Sequence, residues 1–220
     1  SLNLVLGLGM DGPVTDEDLD RIVAFYAERE VEPKVELCPF ADPSAVRGLG
    51  ARGFVVEAFE TVLARELRQV GDPAPLSGLT LHPVDPTEPT DLDAFVETHL
   101  ACFVPEGGER ARARQRDARC IASHPRVTAW LARIDGEIAA SAGLEIFGSV
   151  ATLIIAGVLP RFRRRGVQAA LIAHRCAVAR DSGCAIATIG SAPDSATGRN
   201  ALRAGFVTAY TKPVLARARR

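Results

Sequence analysis

The chain has 220 residues, 47% of them hydrophobic and 24% charged, with a net charge of −1. That is enough material for two small cores or one large one. No apolar run reaches the ~20 residues that span a bilayer, and the start does not read as a signal peptide, so a membrane partner is not expected. The first residue is Ser1, and natural residues are expected to precede it.

The five cysteines (Cys38, Cys102, Cys120, Cys176, Cys184) are odd in number and have no CxxC spacing. The four histidines do not cluster with them, so neither a disulfide scaffold nor a metal site is expected, and a reducing cytoplasm fits best. The cysteines read as small buried apolar residues. Charge is uneven: residues 1–75 hold 14 acidic and 7 basic side chains, the remainder 13 and 19. Arg161, Arg163, Arg164 and Arg165 make one dense point of positive charge without a stacking platform of interleaved aromatics. That pattern argues against nucleic acid and for a small polyanion.

In chain order, Leu2 to Leu8 reads as a strand. An amphipathic helix follows over Asp16 to Glu28, started by Thr15 with Asp18. Val35 to Pro39 is strand-like; a short helix then leads to Gly53-Phe54 and two strands ending at Arg65. Gln69 to Gly78 has the Gly, Pro and Asp content of a linker, which puts a boundary near residue 76. Beyond it come a strand (Leu79 to Pro83), a helix opened by Thr90 (Asp91 to Cys102) and a second helix from about Gly108 to Ala122. Strands Arg126 to Ile134 and Glu137 to Phe147 are joined at Asp135-Gly136, a hairpin signal. A strand from Val150 to Val158 enters an Arg-rich turn and the helix Gln168 to Arg180. Ala185 to Ile189, a short helix, Gly205-Phe206 and two strands complete the chain. The pattern predicts an α/β sheet of mixed direction.

A repeat underlies this order. Gly53 to Arg65 aligns without gaps on Gly205 to Arg217, and each stretch follows an amphipathic helix, an apolar run and a short helix.

The segment Val158-Leu-Pro-Arg-Phe-Arg163-Arg-Arg-Gly166-Val-Gln168-Ala-Ala-Leu171 joins a strand to a helix. A turn of this kind aims successive N–H groups from a helix N-terminus, where the macrodipole adds roughly half a positive charge. Gly166 lets backbone approach a ligand with no Cβ in the way. These residues alone indicate a phosphate or pyrophosphate site.

Val158-x-Pro160-x-x-Arg163-x-x-Gly166-x-Gln168 resembles the pyrophosphate loop of the GNAT acetyltransferase superfamily. Asn200-Ala-Leu-Arg-Ala-Gly205-Phe206 resembles its second signature, in the same order and spacing. The resemblance implies a GNAT-like mixed, mostly antiparallel sheet flanked by helices over 76–220. It implies acetyl-CoA as co-substrate, with its pantetheine arm along Ala156, Gly157 and Val158. The pyrophosphate would lie on backbone N–H groups of Arg163, Arg164, Arg165, Gly166, Val167, Gln168 and Ala169. The acceptor would be an amine of a small molecule or peptide, attacking directly in a ternary complex. Two positions depart from the pattern: Gln168 replaces a small residue, and Ala201 stands where many relatives carry an acidic tyrosine. Glu145 is the candidate base; Ser195 and Asn200 are candidates to assist the leaving thiolate.

Residues 1–75 lack the loop. Asp11, Asp16, Glu17 and Asp18 would repel a pyrophosphate there, so this segment reads as a degenerate partial copy, structural in role. The rival reading for the whole chain is an acyl-CoA-binding or scaffold module without turnover. A dinucleotide-binding fold is disfavoured: Gly7-x-Gly9-x-x-Gly12 has the glycine spacing, but Pro13 removes a backbone donor and the acids at Asp11 and Asp16 to Asp18 would repel a phosphate. A homodimer stays open.

Overall fold

The computed structural model describes residues 3–103 and 109–217. Its strands are β1 (Leu4–Val5), β2 (Lys34–Glu36), β3 (Phe54–Glu66), β4 (Leu79–Pro83), β5 (Val127–Ile134), β6 (Glu137–Phe147), β7 (Val150–Val158), β8 (Ile186–Ser191) and β9 (Val207–Arg217). Its α-helices are α1 (Asp16–Ala27), α2 (Pro43–Ala51), α3 (Pro89–Phe103), α4 (Glu109–Ala122), α5 (Val167–Asp181) and α6 (Ala196–Arg203). Leu2 and Gly108, at the predicted starts of the first strand and the second post-linker helix, lie outside the described residues. Each stretch predicted as a pair of strands, after Gly53-Phe54 and after Gly205-Phe206, is a single long strand. In β9, Pro213 forfeits only a donor; its carbonyl accepts from the Leu37 amide at 3.0 Å, and pairing with β2 goes on past it.

The chain forms two compact units. The first comprises residues 1–62, 191–195 and 208–220, with strand order β1-β2-β9-β3. Here β1 and β2 are parallel, and β9 runs antiparallel to β2. Thr15 and Asp18 form a reciprocal capping box on α1, and Leu19, Val35, Leu49, Phe54 and Leu215 make the core. Arg52 ties α2 to α1 through Asp16 and Asp20, at 3.0 and 2.7 Å.

The second unit comprises residues 63–190 and 196–207, with order β3-β8-β7-β6-β5-β4, where β3 contributes its last residues. β4 to β7 form an antiparallel meander, and β7 pairs with β8 in parallel. Asp135 and Gly136 both have positive φ, 51° and 87°, as a two-residue type I′ hairpin requires. Period-two alternation divides β5 between two layers: Ala129 and Leu131 face α3 and α4, while Trp130, Ala132 and Ile134 face the α5 side.

The compact units do not coincide with the segments 1–75 and 76–220, because the strands after Gly53 and Gly205 each contribute to a unit other than that of their segment. β9 lies between β2 and β3 in the first unit, and the end of β3 lies beside β8 in the second. The Gly- and Pro-rich stretch 69–78 is also no free linker. Val70 is buried, Leu76 packs on the core beneath α5, and Arg180 of α5 reaches the Val70 carbonyl and Asp72. Among the cysteines, Cys102, Cys176 and Cys184 are buried, Cys38 is half-buried and Cys120 is exposed, so the buried reading fails for Cys120. Its place on the outer side of a helix rich in arginine accounts for that. No helix among the described residues is long and apolar enough to cross a membrane.

Candidate active site

The site grows from the way β7 leaves its neighbour. β7 pairs with β8 only over Val150 to Thr152, against Ile186 to Thr188. Further along, two residues of β7, Ile155 and Ala156, oppose the single Ala142 of β6: Ser141 faces Gly157, and Gly143 faces Ile154. The extra residue makes a bulge at Ile155, which has φ +39°. A β-branched residue enters the left-handed region only when its surroundings impose it. Gly143 leaves the room for it, since a Cβ there would stand 2.8 Å from Ile155 Cγ1. The bulge turns the end of β7 away from β8, and Ala156, Gly157 and Val158 line the resulting cleft.

Those three residues border a cavity of about 590 Å³. Its other walls include Cys102 and Phe103 of α3, the turn residues Phe162, Arg163, Arg164 and Gly166, the first turn of α5, and Thr197, Asn200 and Arg203 of α6. Gly157 is needed for this closure: a Cβ there would come within 2.6 Å of Cys102 Cβ.

After Val158 a single 3-10 turn, Pro160–Phe162, buries the Phe162 ring beneath the loop. Arg163 then turns its guanidinium inward. Its Nε donates to the Val158 carbonyl and an η nitrogen donates to the Cys102 carbonyl, both at 3.1 Å. It therefore caps the C-terminal end of α3 and fastens the end of β7 to it. Arg161 pairs with Glu137 at 2.9 Å, and Arg165 lies over the Phe162 ring. Arg164 has φ +61° and Gly166, at the N-cap of α5, has φ +81°. Left-handed residues at such a turn gather backbone N–H groups into an anion-binding concavity. No side chain caps α5, so its first N–H groups are open to a ligand.

Of the residues the sequence nominated, Ala156, Gly157, Val158, Arg163, Arg164, Gly166, Val167, Gln168, Ala169 and Asn200 line this one cavity. Arg165 does not. Glu145 lies on β6 opposite Val127 and Thr152, away from the cavity wall. Ser195 immediately precedes α6, its amide bonded to the Ala192 carbonyl at 3.3 Å, and is not a wall residue. Ala201, at the tyrosine position, is fully buried in the core. Sequence reading missed Cys102, Phe103, Thr197 and Arg203; Arg203 donates to Asn200 Oδ1 at 2.9 Å. The basic end of the Asn200 helix, one turn from Gly205, was the available signal for Arg203. Burial pushes the Cys102 thiol up to about 11, against the opposing pull of Arg163, so it stays protonated near neutrality. No cluster of three metal-ligating side chains occurs among the described residues.

The open helix N-terminus, the glycine without a Cβ and the cations Arg164 and Arg203 suit a pyrophosphate, and the cleft edge suits an extended amide-bearing arm. The family model for the acetyltransferase (GNAT) family matches residues 92–206, just over half of the chain. The chain belongs to that family. Both of its signature segments, the loop at Val158–Gln168 and the helix ending in Gly205-Phe206, fall inside the match. This GNAT chain also shares its fold with solved structures. A GCN5-related N-acetyltransferase from Kribbella flavida has a TM-score of 0.73 at 20% identity, covering 99% of this chain and 82% of the other. A GCN5-related N-acetyltransferase from Sphaerobacter thermophilus has 0.63 at 18%, covering 85% and 59%. A tandem GNAT protein from the clavulanic acid biosynthesis pathway has 0.58 at 15%, covering 86% and 65%. None of the curated proteins matches the sequence.

Proposed function

We propose that this acetyltransferase moves the acetyl group of acetyl-CoA to an amine of a small molecule or peptide, by direct attack in a ternary complex. The observation behind this reading is the single cavity that joins the splayed edge of β7 to the uncapped N-terminus of α5. In that reading the backbone of Ala156, Gly157 and Val158 pairs with the pantetheine arm. The turn from Arg163 to Ala169 takes the pyrophosphate. The amine nitrogen bonds to the thioester carbonyl carbon, the C–S bond breaks, and the amine proton leaves as the thiolate gains one. Asn200, on the wall, is assigned to the leaving thiolate. Glu145 and Ser195 are the further candidates for proton transfer, outside the wall.

Residues 1–75 are read as a degenerate structural copy of the strand–helix–strand half of the fold. In support, Gly53 and Gly205 close equivalent helices with φ +76° and +82°, each followed by a buried phenylalanine, Phe54 and Phe206. The first-copy helix start is already closed by its own Thr15–Asp18 box.

Thiol release from acetyl-CoA, followed against amines, polyamines, amino acids and aminoglycosides, tests the reading. At least one class should give turnover stoichiometric with N-acetylated product. Release equal to spontaneous hydrolysis with every acceptor would favour the binding-module reading instead.

A further inference from the structure

Arg175 is the largest fully buried side chain in the described protein, with 1% of its surface exposed. It projects from α5 into the sheet beneath the β6–β7 bulge. Its Nε donates to the Leu171 carbonyl of its own helix at 3.0 Å. One η nitrogen donates to the Gly143 carbonyl at 3.0 Å and reaches the Ile154 carbonyl at 3.4 Å. Gly143 and Ile154 are the cross-strand pair at which the bulge begins. Among the described residues no carboxylate lies within ion-pair distance of this guanidinium. Burial lowers its pKa to about 10, which still leaves it charged at neutral pH.

A buried cation without a counter-ion is costly, and an apolar side chain of the same volume would fill this space more cheaply. What an apolar side chain lacks is donors. A bulge interrupts the regular ladder, and its carbonyls need partners from elsewhere. One η nitrogen serves carbonyls of two strands while Nε on the same rigid plane is held by the helix, so the guanidinium fixes all three directions at once, which the freely rotating ammonium of lysine does not. Hydrogen bonding to the Ile154 carbonyl also polarises the peptide whose N–H belongs to Ile155, the bulge residue itself.

We propose that Arg175 is a positioning residue that fixes the Gly143–Ile154–Ile155 bulge, and through it holds the β7 edge in the splayed form that receives the acyl-pantetheine arm. The inference rests on the CoA reading of the cavity. Arg175 is about two turns below the loop-bearing end of α5 and does not border the cavity, so its effect falls on the cleft edge and not on the pyrophosphate turn.

The test compares two ligands by calorimetry: acetyl-CoA, and ADP, which carries the pyrophosphate without the pantetheine arm. For Arg175→Met, affinity for acetyl-CoA should fall at least tenfold while affinity for ADP stays within twofold of the wild type. Arg175→Lys, which keeps the charge but loses the planar donor fork, should fall between. Gly143→Ala disturbs the same bulge from the strand side while keeping the Arg175 side chain and the Gly143 carbonyl it donates to, and should reproduce the selective loss; it decides the matter if Arg175→Met does not fold. Equal weakening of both ligands, or acetyl-CoA binding kept within twofold in the variants, would overturn the proposal. A wild-type protein that binds ADP and acetyl-CoA equally, or neither, would instead overturn the CoA reading beneath it.

Discussion

Gly166→Glu should reduce acetyl-CoA affinity by at least a hundredfold, about 2.7 kcal/mol, while the protein still folds. Gly166 is the N-cap of α5 with φ +81°, and a Cβ built there would meet only Leu76, at 3.6 Å. Space is therefore not the obstacle to folding. A left-handed conformation costs a non-glycine residue roughly 1–2 kcal/mol, which a folded domain survives with a lowered melting temperature. Binding is another matter. The new carboxylate would stand where the helix dipole and open N–H groups attract a pyrophosphate, reversing the local potential. Gly166→Ala separates the two effects, since it keeps the strain and omits the charge. It should lower the melting temperature similarly and weaken binding far less. Calorimetry and thermal melts on both variants check this; a Gly166→Glu protein that binds acetyl-CoA within twofold of the wild type would show that the turn is not the anchor.

The largest stability effect is expected at Phe162→Ala, at about 3–5 kcal/mol. The ring is 5% exposed and packs in the cluster of Val167, Leu171, Ala139 and Ala140, with Leu159 alongside. It pins the 3-10 turn between β7 and α5, and Arg161 lies over it at 4.8 Å. Truncation leaves a cavity at the base of the loop and frees the turn that Arg163 fastens from above. The urea midpoint should fall with little change in slope, and acetyl-CoA affinity should fall with it, because the loop loses its foundation. A variant with an unchanged midpoint would mean that the ring is not the support described here.

The loop was legible because its chemistry is local. Strand end, arginines, Gly166 and the start of α5 lie within about a dozen residues, and spacing alone shows what their backbone must do. The Asp135-Gly136 hairpin was legible for the same reason. Features that depend on distant partners were not. Arg163 reads as a phosphate ligand until the Cys102 carbonyl, 61 residues away, is found on its guanidinium. Nothing in the spacing of the helix singles out Arg175 until the bulge at Gly143 and Ile154 is found above it. The stretch 69–78 has linker composition, yet Arg180 and two apolar side chains bind it down. The place of β9 between β2 and β3 leaves no composition signal, because the backbone groups of a strand pair equally well with any neighbour. Glu145 was nominated by its place late in a strand; whether a strand residue reaches the cleft depends on the pleat and the bulge, which spacing does not record.

The central claim is that one cavity, between the splayed end of β7 and the open start of α5, takes acetyl-CoA. Titration calorimetry of the wild-type chain with acetyl-CoA tests it most directly. One site is expected, with a dissociation constant in the low-to-middle micromolar range, about −7 to −8 kcal/mol. No heat and no thermal shift at millimolar acetyl-CoA or CoA would contradict it.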